Sequence, residues 1–295
     1  MKKAALIANP LSGRCSKKAI QRFLERLEKM GFSVHLWELA EEQKIEEVIA
    51  LLEPGSLDLL VLMAGDGTIN SALNALAARD DHEKFKLAIA PAGTANILSK
   101  ELDTDSLGKS LKAIEYGKIK RVHLGKIRYL VENREKTGYF ALMISAGFDS
   151  LAVNGVNMKL KKIVGGLAYI YELFKILVGR DLVHLETEVD GLVYKNVLTC
   201  VSNGRYYGVK IPTTESRLED NSFDVVIIKK ISILSVILHL FRKKSDRNII
   251  KLTGKNNVSI TTIAKDYPLQ IDGDYYCNLP ARVESSGIYI NMYYL

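Results

Sequence analysis

The sequence has few cysteines, and their positions exclude two common roles. The three residues Cys15, Cys200 and Cys277 lack the spacing of a metal site and cannot all pair in disulfides. Chains without a disulfide framework are typical of reducing compartments, so we expect a cytoplasmic protein.

Long apolar runs are also absent. The run before Asn9 is shorter than the hydrophobic region of a signal peptide, and we expect no export signal. The longest apolar stretch, residues 225–241, is interrupted by Lys229 and Lys230. Its remainder is shorter than the roughly 20 residues that span a bilayer, so we predict a core strand at 223–228 followed by a buried or amphipathic helix.

Several motifs of nucleotide and hydrolytic enzymes are missing. There is no Gly-x4-Gly-Lys-Ser/Thr loop, no His-Arg-Asp catalytic loop and no Gly-x-Ser-x-Gly elbow. The dinucleotide fingerprint fails because Asn70 takes the position of its third glycine after Gly65 and Gly67. The five histidines show no paired spacing. Any phosphoryl transfer by this chain must therefore use another scaffold.

The composition indicates an ordinary globular protein with an anionic partner. The 295 residues are 47% hydrophobic and 25% charged, which suits one or two domains, and the formal charge is +7. Two basic clusters, Lys159-Lys161-Lys162 and Arg242-Lys243-Lys244, fit either peripheral attachment to an anionic membrane or solvated helix ends. Aromatic and basic residues do not interleave as in a nucleic-acid platform, so we expect no nucleic-acid partner.

The order of predicted elements divides the chain into two halves. In the first half, strands alternate with helices, which is typical of a parallel sheet covered by helices. The predicted strands are 4–8, 33–38, 57–63 and 86–90, and the predicted helices are 17–30, 43–52 and 69–78. The second half is rich in strands, with a hairpin of 183–189 and 192–202 around Asp190-Gly191 and helices at 150–158 and 167–178. We predict an α/β domain over 1–122 and a β-rich domain over 123–286.

The most informative segment is Gly65-Asp66-Gly67, followed by Thr68 and Asn70, at the end of the apolar run 57–63. Glycines expose backbone N–H groups, and a helix that begins nearby directs its positive end to the same place. This arrangement fits a phosphate-bearing ligand. Because a carboxylate repels phosphate, Asp66 indicates a divalent cation between them.

A second segment of the same kind follows the next predicted strand. It reads Pro91-Ala92-Gly93-Thr94-Ala95-Asn96. Successive parallel strands place their carboxyl ends at one edge of the sheet, where ligands of α/β folds bind. We therefore expect both segments to face one ligand, although Asp-Gly pairs are also ordinary turn residues.

These segments resemble a known family. The stretch 64–70 looks like the Gly-Gly-Asp-Gly-Thr-x-Asn signature of the diacylglycerol kinase catalytic-domain family, 91–96 looks like its Pro-x-Gly-Thr-x-Asn loop, and Asn9-Pro10-Leu11-Ser12-Gly13 resembles its opening motif. Segments 145–149, 211–224 and 272–274 follow in the family's order. The resemblance covers nearly the whole chain and implies a two-domain fold of the NAD kinase and diacylglycerol kinase type, in which a final strand at 287–295 returns to the first domain.

The resemblance also implies roles for particular residues. Phosphoryl transfer needs a phosphate cradle, a metal with acidic ligands and a carboxylate that accepts a proton. The expected cofactors are ATP and Mg²⁺, with Asp272 as general base, Asp274 beside it at the acceptor, and Asp66 and Asp220 as metal ligands. The expected nucleotide-binding residues are Asn9, Ser12, Gly65, Asp66, Gly67, Thr68, Asn70, Gly93, Thr94 and Asn96.

The chain departs from the family pattern at three places. Ala64 replaces the first glycine of the signature, Asp274 replaces a glutamate, and residues 97–100 differ from the acidic residue, Phe and Ala that follow Asn96 in the family. Asp272 also fits a type I′ hairpin turn, and the acidic residues around Asp220 fit a solvated loop. Asn203-Gly204-Arg205 fits a wall of the site, with the arginine on phosphate, as well as an exposed turn.

The expected activity is an ATP-dependent, Mg²⁺-dependent lipid kinase that phosphorylates a hydroxyl of a diacylglycerol-like lipid at the membrane surface. The enzyme would be cytoplasmic and peripherally attached to the membrane. NAD kinase and a non-catalytic lipid or nucleotide sensor are the alternatives. The oligomeric state stays open, with a homodimer among the options.

Overall fold

The structure, a computed structural model, describes residues 2–155, 171–172, 175–176, 182–207, 211–212, 214–231 and 247–295. Both predicted basic clusters, most of the predicted helix at 167–178, the end of the helix at 150–158 and the helix after 228 lie outside these residues. The described part contains an α/β half and a β-rich half, as the sequence predicted. No helix in it has the length and apolarity needed to cross a membrane.

Helices alternate with strands early in the chain, and strands dominate after residue 118. The helices are α1 (Lys17–Lys29), α2 (Ile45–Ala50), α3 (Asp66–Ala77), α4 (Ile97–Glu101), α5 (Leu107–Tyr116) and α6 (Phe148–Gly155). The strands of the first half are β1 (Lys2–Ala8), β2 (Phe32–Glu38), β3 (Leu59–Ala64) and β4 (Lys86–Pro91). The later strands are β5 (Ile119–Val131), β6 (Arg134–Phe140), β7 (Met143–Gly147), β8 (Leu185–Val189), β9 (Leu192–Asn196), β10 (Leu198–Ser202), β11 (Tyr206–Tyr207), β12 (Ile211–Pro212), β13 (Phe223–Ile228), β14 (Ile249–Lys255), β15 (Asn257–Thr262), β16 (Pro268–Ile271), β17 (Asp274–Asn278) and β18 (Ala281–Tyr293).

The first half is a parallel sheet in the order β2-β1-β3-β4, with helices on both faces. Alternate residues of β1 and β3 pack against α1 and α5 on one face and against α2 and α3 on the other. All six residues of β3 are buried, which explains its continuous apolar run. The carboxyl ends of β3 and β4 lie side by side, so the segments that follow them meet at one edge.

The second half is a sandwich of two layers. Strands β5, β8, β15 and β18 extend the first sheet, and their inner faces pack against a six-stranded antiparallel sheet in the order β14-β13-β10-β7-β16-β17. The last strand, β18, pairs in parallel with β4 and antiparallel with β5 and β15. The main sheet therefore runs through both halves, and the predicted boundary after residue 122 falls inside β5.

Several predicted elements have other bounds in the structure: the helix predicted at 43–52 is α2 (Ile45–Ala50), and the last strand, predicted at 287–295, is β18 (Ala281–Tyr293). Helix α3 begins at Asp66, three residues before its predicted start, because Gly65 is extended and its carbonyl accepts the first helical hydrogen bond from Ile69 N. The predicted strand 192–202 is two strands in different sheets. At Val197 the backbone N–H turns to Ile228 O, so β9 stays at the edge of the main sheet while β10 enters the second sheet.

Candidate active site

The two glycine-containing segments touch through their backbones. A Cβ atom on Gly93 would lie 2.7 Å from Gly65 Cα, closer than any side chain permits. Asn96 adopts a left-handed conformation (φ 49°), and its side chain accepts a hydrogen bond from Gly93 N at 2.8 Å and donates one to Gly93 O at 2.9 Å. Gly93 is thus required for close approach, and the buried amide of Asn96 closes the loop around it.

Asp66 links the two segments. Its Oδ2 accepts a hydrogen bond from Asn96 N at 2.7 Å, and its Oδ1 accepts one from Ile97 N at 2.9 Å. Burial raises the pKa of Asp66, the two backbone hydrogen bonds oppose that shift, and the negative charge of Asp274 adds to it. The positive charge of Lys100 lowers the pKa again. Both carboxylate oxygens therefore hold the start of α4, a structural use that the sequence did not predict.

The opening motif packs against the first glycine segment. Asn9 Nδ2 donates to Thr68 Oγ1 at 2.9 Å, and Gly65 N donates to Ser12 Oγ at 3.1 Å. Three strand ends, from β1, β3 and β4, are thereby joined at one edge of the sheet. The predicted residues Asn9, Ser12, Gly65, Thr68 and Gly93 all lie there.

The remaining predicted nucleotide residues lie near this edge in different settings. Gly67 and Thr94 are exposed. Asn70 is half-buried, and its carbonyl accepts a hydrogen bond from Asn74 Nδ2 at 2.9 Å. Asn74, which sequence reasoning missed, also donates to Tyr139 O at 2.8 Å and accepts from Tyr139 N at 2.7 Å. This pair of hydrogen bonds joins α3 to β6 and so fixes the β-rich half against the glycine segments.

Asp272 lies in the two-residue turn between β16 and β17. Asp272 and Gly273 both have positive φ, 52° and 93°, as the hairpin interpretation required. The side chain points back to β7, where Oδ1 accepts a hydrogen bond from Met143 N at 2.8 Å. The hairpin and catalytic interpretations are therefore compatible, since the turn holds the carboxyl in place.

Asp272 has the most perturbed acidity among the predicted site residues. Burial raises its pKa to about 7, the Met143 hydrogen bond opposes the shift, and the negative charges of Asp66 and Asp274 add to it. A carboxylate with a pKa near neutrality can accept a proton from a hydroxyl group at physiological pH. Perturbed groups of this kind are concentrated at functional sites.

Asp274 connects the turn at residues 272–274, here called the acidic turn, to the first glycine segment. A Cβ atom on Gly67 would lie 3.1 Å from Asp274 Oδ2, so the exposed carboxylate of Asp274 reaches the first turn of α3. Together with the mutual charge effects on Asp66 and Asp272, this contact brings the acidic turn and the glycine segments into one site.

Asp220 and Arg205 are placed differently from the other predicted residues. Asp220 is exposed in the turn before β13, and its Oδ2 accepts a hydrogen bond from Arg217 N at 3.3 Å. Arg205 Nε lies 3.5 Å from Oε2 of the buried Glu101, and the arginine side chain is half exposed. Within the residues that the structure describes, no cluster of three or more His, Cys, Asp or Glu side chains is arranged to hold a metal ion.

Comparison with known proteins relates this geometry to a family. Residues 3–127 match the family model of the diacylglycerol kinase catalytic domain. A protein of Staphylococcus carnosus named diacylglycerol kinase is 28% identical over 99% of this chain and 95% of its own length. A protein of Staphylococcus aureus with the same name is 29% identical over 95% of this chain and 89% of its own length. The chain is thus similar, over nearly its whole length, to proteins of the diacylglycerol kinase catalytic-domain family.

Solved structures show the same fold. A crystal structure of a diacylglycerol kinase from Bacillus anthracis superposes with a TM-score of 0.77 at 21% identity, covering 100% of this chain and 97% of that one. A second structure from the same organism gives a TM-score of 0.79 at 23% identity. The segment that matches the diacylglycerol kinase catalytic-domain model contains the glycine segments, whereas Asp272 and Asp274 lie beyond it.

Proposed function

We propose that this protein is an ATP-dependent lipid kinase that transfers the γ-phosphoryl group to a hydroxyl of a diacylglycerol-like lipid. The observation that carries the proposal is the position of Asp272, whose pKa is about 7 and whose turn reaches the glycine segments through Asp274. The names of the full-length relatives support the same acceptor class.

The backbone of the glycine segments would bind the nucleotide phosphates. Gly67 and Thr68 lie in the first turn of α3, where N–H groups without helical partners and the helix dipole favour an anion. The exposed Thr94 and the hydroxyl of Thr68 would add donors at the same edge.

Asp272 would accept the proton of the acceptor hydroxyl. As the O–H bond of the acceptor breaks, the hydroxyl oxygen forms a bond to the γ-phosphorus. The bond between the γ-phosphorus and the β–γ bridging oxygen breaks at the same time, which releases ADP. The proton remains on Asp272 until solvent removes it. Hydrogen bonding from Met143 N fixes the carboxyl so that its second oxygen can face the acceptor.

The acidic residues fit Mg²⁺ by the chemistry of their oxygens, because this ion is commonly held by one or two carboxylates and by substrate phosphates. Asp274, which is exposed, and the remaining lone pairs of Asp66 would hold it. The ion would supply positive charge to the transferring phosphoryl group. A role for Asp220 as a second metal ligand remains a separate prediction. Attachment to an anionic membrane is supported by the charge of +7.

The proposal is tested with purified protein, ATP, MgCl2 and vesicles that contain dioleoylglycerol, with mass detection of phosphorylated lipid. We expect a phosphorylated product with wild type and at least a 100-fold slower reaction with Asp272→Asn. A bacterial lipid extract and NAD are offered as alternative acceptors. Product from NAD alone would indicate an NAD kinase, and tight ATP binding without any product would indicate a sensor.

A further inference from the structure

The turn that carries Asp272 rests on a buried chain of polar side chains. Gln270, which is 2% exposed, accepts a hydrogen bond at Oε1 from Gly273 N at 2.6 Å. Gly273 is the second residue of the turn, next to Asp272 in sequence. The side chain of Gln270, on the preceding strand β16, therefore fixes the backbone of the turn.

The amide group of Gln270 is itself oriented by two further residues. Its Nε2 donates to Ser145 Oγ at 2.5 Å and approaches Asp149 Oδ2 at 3.5 Å. Ser145 Oγ donates to the same oxygen of Asp149, and Asp149 Oδ1 accepts from Ser150 N at 2.6 Å. Ser145 and Asp149 are 0% and 1% exposed, so water does not compete for these hydrogen bonds.

The direction of these hydrogen bonds depends on Asp149. Both of its oxygens act as acceptors, so Gln270 must present its NH2 group to Asp149 and Ser145 and its oxygen to Gly273 N. A reversed amide would place one donor against another at Gly273. Asp149 thereby sets the orientation of the Gln270 amide group, whose oxygen accepts the hydrogen bond from the turn.

We propose that Asp149, Ser145 and Gln270 form a positioning relay that holds the turn of Asp272 and Asp274 in its reactive conformation. This inference rests on the proposed function, since it assigns the relay to the same reaction. None of the three residues acts on substrate. Their effect passes through Gly273 to the position of the Asp272 carboxyl relative to the acceptor hydroxyl.

The test compares two relay variants with a matched control. Asp149→Asn keeps the shape of the side chain but introduces a donor, and Gln270→Met keeps the volume but loses both hydrogen-bonding ends. The control is Thr199→Val on β10, a buried residue of the same sheet that hydrogen-bonds to Thr187 and Asn196 outside the relay. Thermal unfolding of all variants first establishes that each one is folded.

Two readouts then separate positioning from general destabilisation. We expect kcat to fall about 10- to 100-fold in both relay variants, with the KM for ATP changed less than about twofold, because a small displacement of a reacting group is enough for such a loss. We also expect faster amide hydrogen exchange at Gly273 in the relay variants. Thr199→Val should change neither quantity, even if its melting temperature falls.

Unchanged exchange at Gly273 in Asp149→Asn would overturn the relay, and so would faster exchange with unchanged kcat. If only Gln270→Met folds, unchanged kcat or unchanged exchange at Gly273 in that variant would overturn the relay. Wild-type protein that phosphorylates no lipid would instead overturn the proposed function, and the exchange comparison then tests the relay by itself.

Discussion

At the scale of single residues, the account depends on the acidity of Asp272. An acid whose pKa is about 7 is half ionised near neutral pH, and only the ionised form accepts a proton. We therefore expect kcat/KM for the lipid to fall about tenfold for each pH unit below 7, measured with vesicles at saturating ATP. An acidic limb centred near pH 4, the usual range of an aspartate, would contradict this role.

The same pKa affects folding stability. Below about pH 4 the carboxyl of Asp272 is protonated in the folded and unfolded chains, but between about 4 and 7 only the unfolded chain loses the proton. The folded state then binds more protons, so its stability falls as the pH rises through this window. Asn at this position cannot ionise and can still accept the hydrogen bond from Met143 N.

We thus expect the free energy of unfolding of Asp272→Asn, relative to that of wild type, to increase by roughly 3–4 kcal/mol between pH 4 and pH 8. Urea unfolding at several pH values measures this difference. Parallel stability curves for the two proteins would show that the Asp272 pKa is not raised by folding.

At the scale of elements, the contact between the strand-end segments is the feature most sensitive to substitution. Gly93→Ala would place a methyl group against Gly65 Cα, and we expect a loss of about 1–3 kcal/mol in stability together with weaker ATP binding. Gly108→Ala in α5 is the control, because its added Cβ would have no atom within 4 Å beyond its chain neighbours and the backbone of its own helix. Denaturant unfolding and titration calorimetry measure both effects; equal behaviour of the two variants would contradict the tight packing.

The link between α3 and β6 gives a second prediction at this scale. Asn74→Ala would leave Tyr139 N and Tyr139 O without their side-chain partner, so we expect a loss of about 2–5 kcal/mol and a lower kcat. Asn291→Ala, which removes one exposed hydrogen bond to Glu83 O, should cost less than about 1 kcal/mol. A similar loss in both proteins would mean that Asn74 does not join the halves.

The sequence predicted those elements whose apolar residues follow a single local burial pattern. Helix α1 and strand β13 were placed within one residue, because α1 has a single buried face and β13 is apolar except for Asp224. The division of 192–202 at Val197 was missed because no glycine or proline marks a break there, and the change of sheet depends on a distant partner, Ile228 O. Local patterns do not contain such long-range pairing.

The same limit applies to the site. Glycine and aspartate in short motifs marked the strand ends, because these residues are needed for the local backbone shape. Asn74 and Gln270 were not predicted, since amide side chains in a helix and a strand have no local signal and their partners are 65 and 125 residues away. The hydrogen bonds by which Asp66 holds α4 were also not predicted, because they depend on a neighbouring loop.

At the scale of the whole molecule, the net charge gives a prediction about membranes. A charge of +7 should attract the protein to anionic vesicles, at about 1 kcal/mol for each basic side chain near the surface. We expect sedimentation with phosphatidylglycerol vesicles at low salt, release at about 0.5 M NaCl where screening is strong, and no binding to phosphatidylcholine vesicles. Equal binding to both lipids would contradict an electrostatic attachment.

The central claim is that the glycine segments and the Asp272 turn form one active site. Its most direct test is a crystal structure with MgCl2 and a non-hydrolysable ATP analogue. We predict phosphate oxygens within hydrogen-bonding distance of the backbone at residues 65–68 and 93–96, with the γ-phosphate on the side of Asp272. A nucleotide bound elsewhere, or a γ-phosphate that faces away from Asp272, would contradict the account.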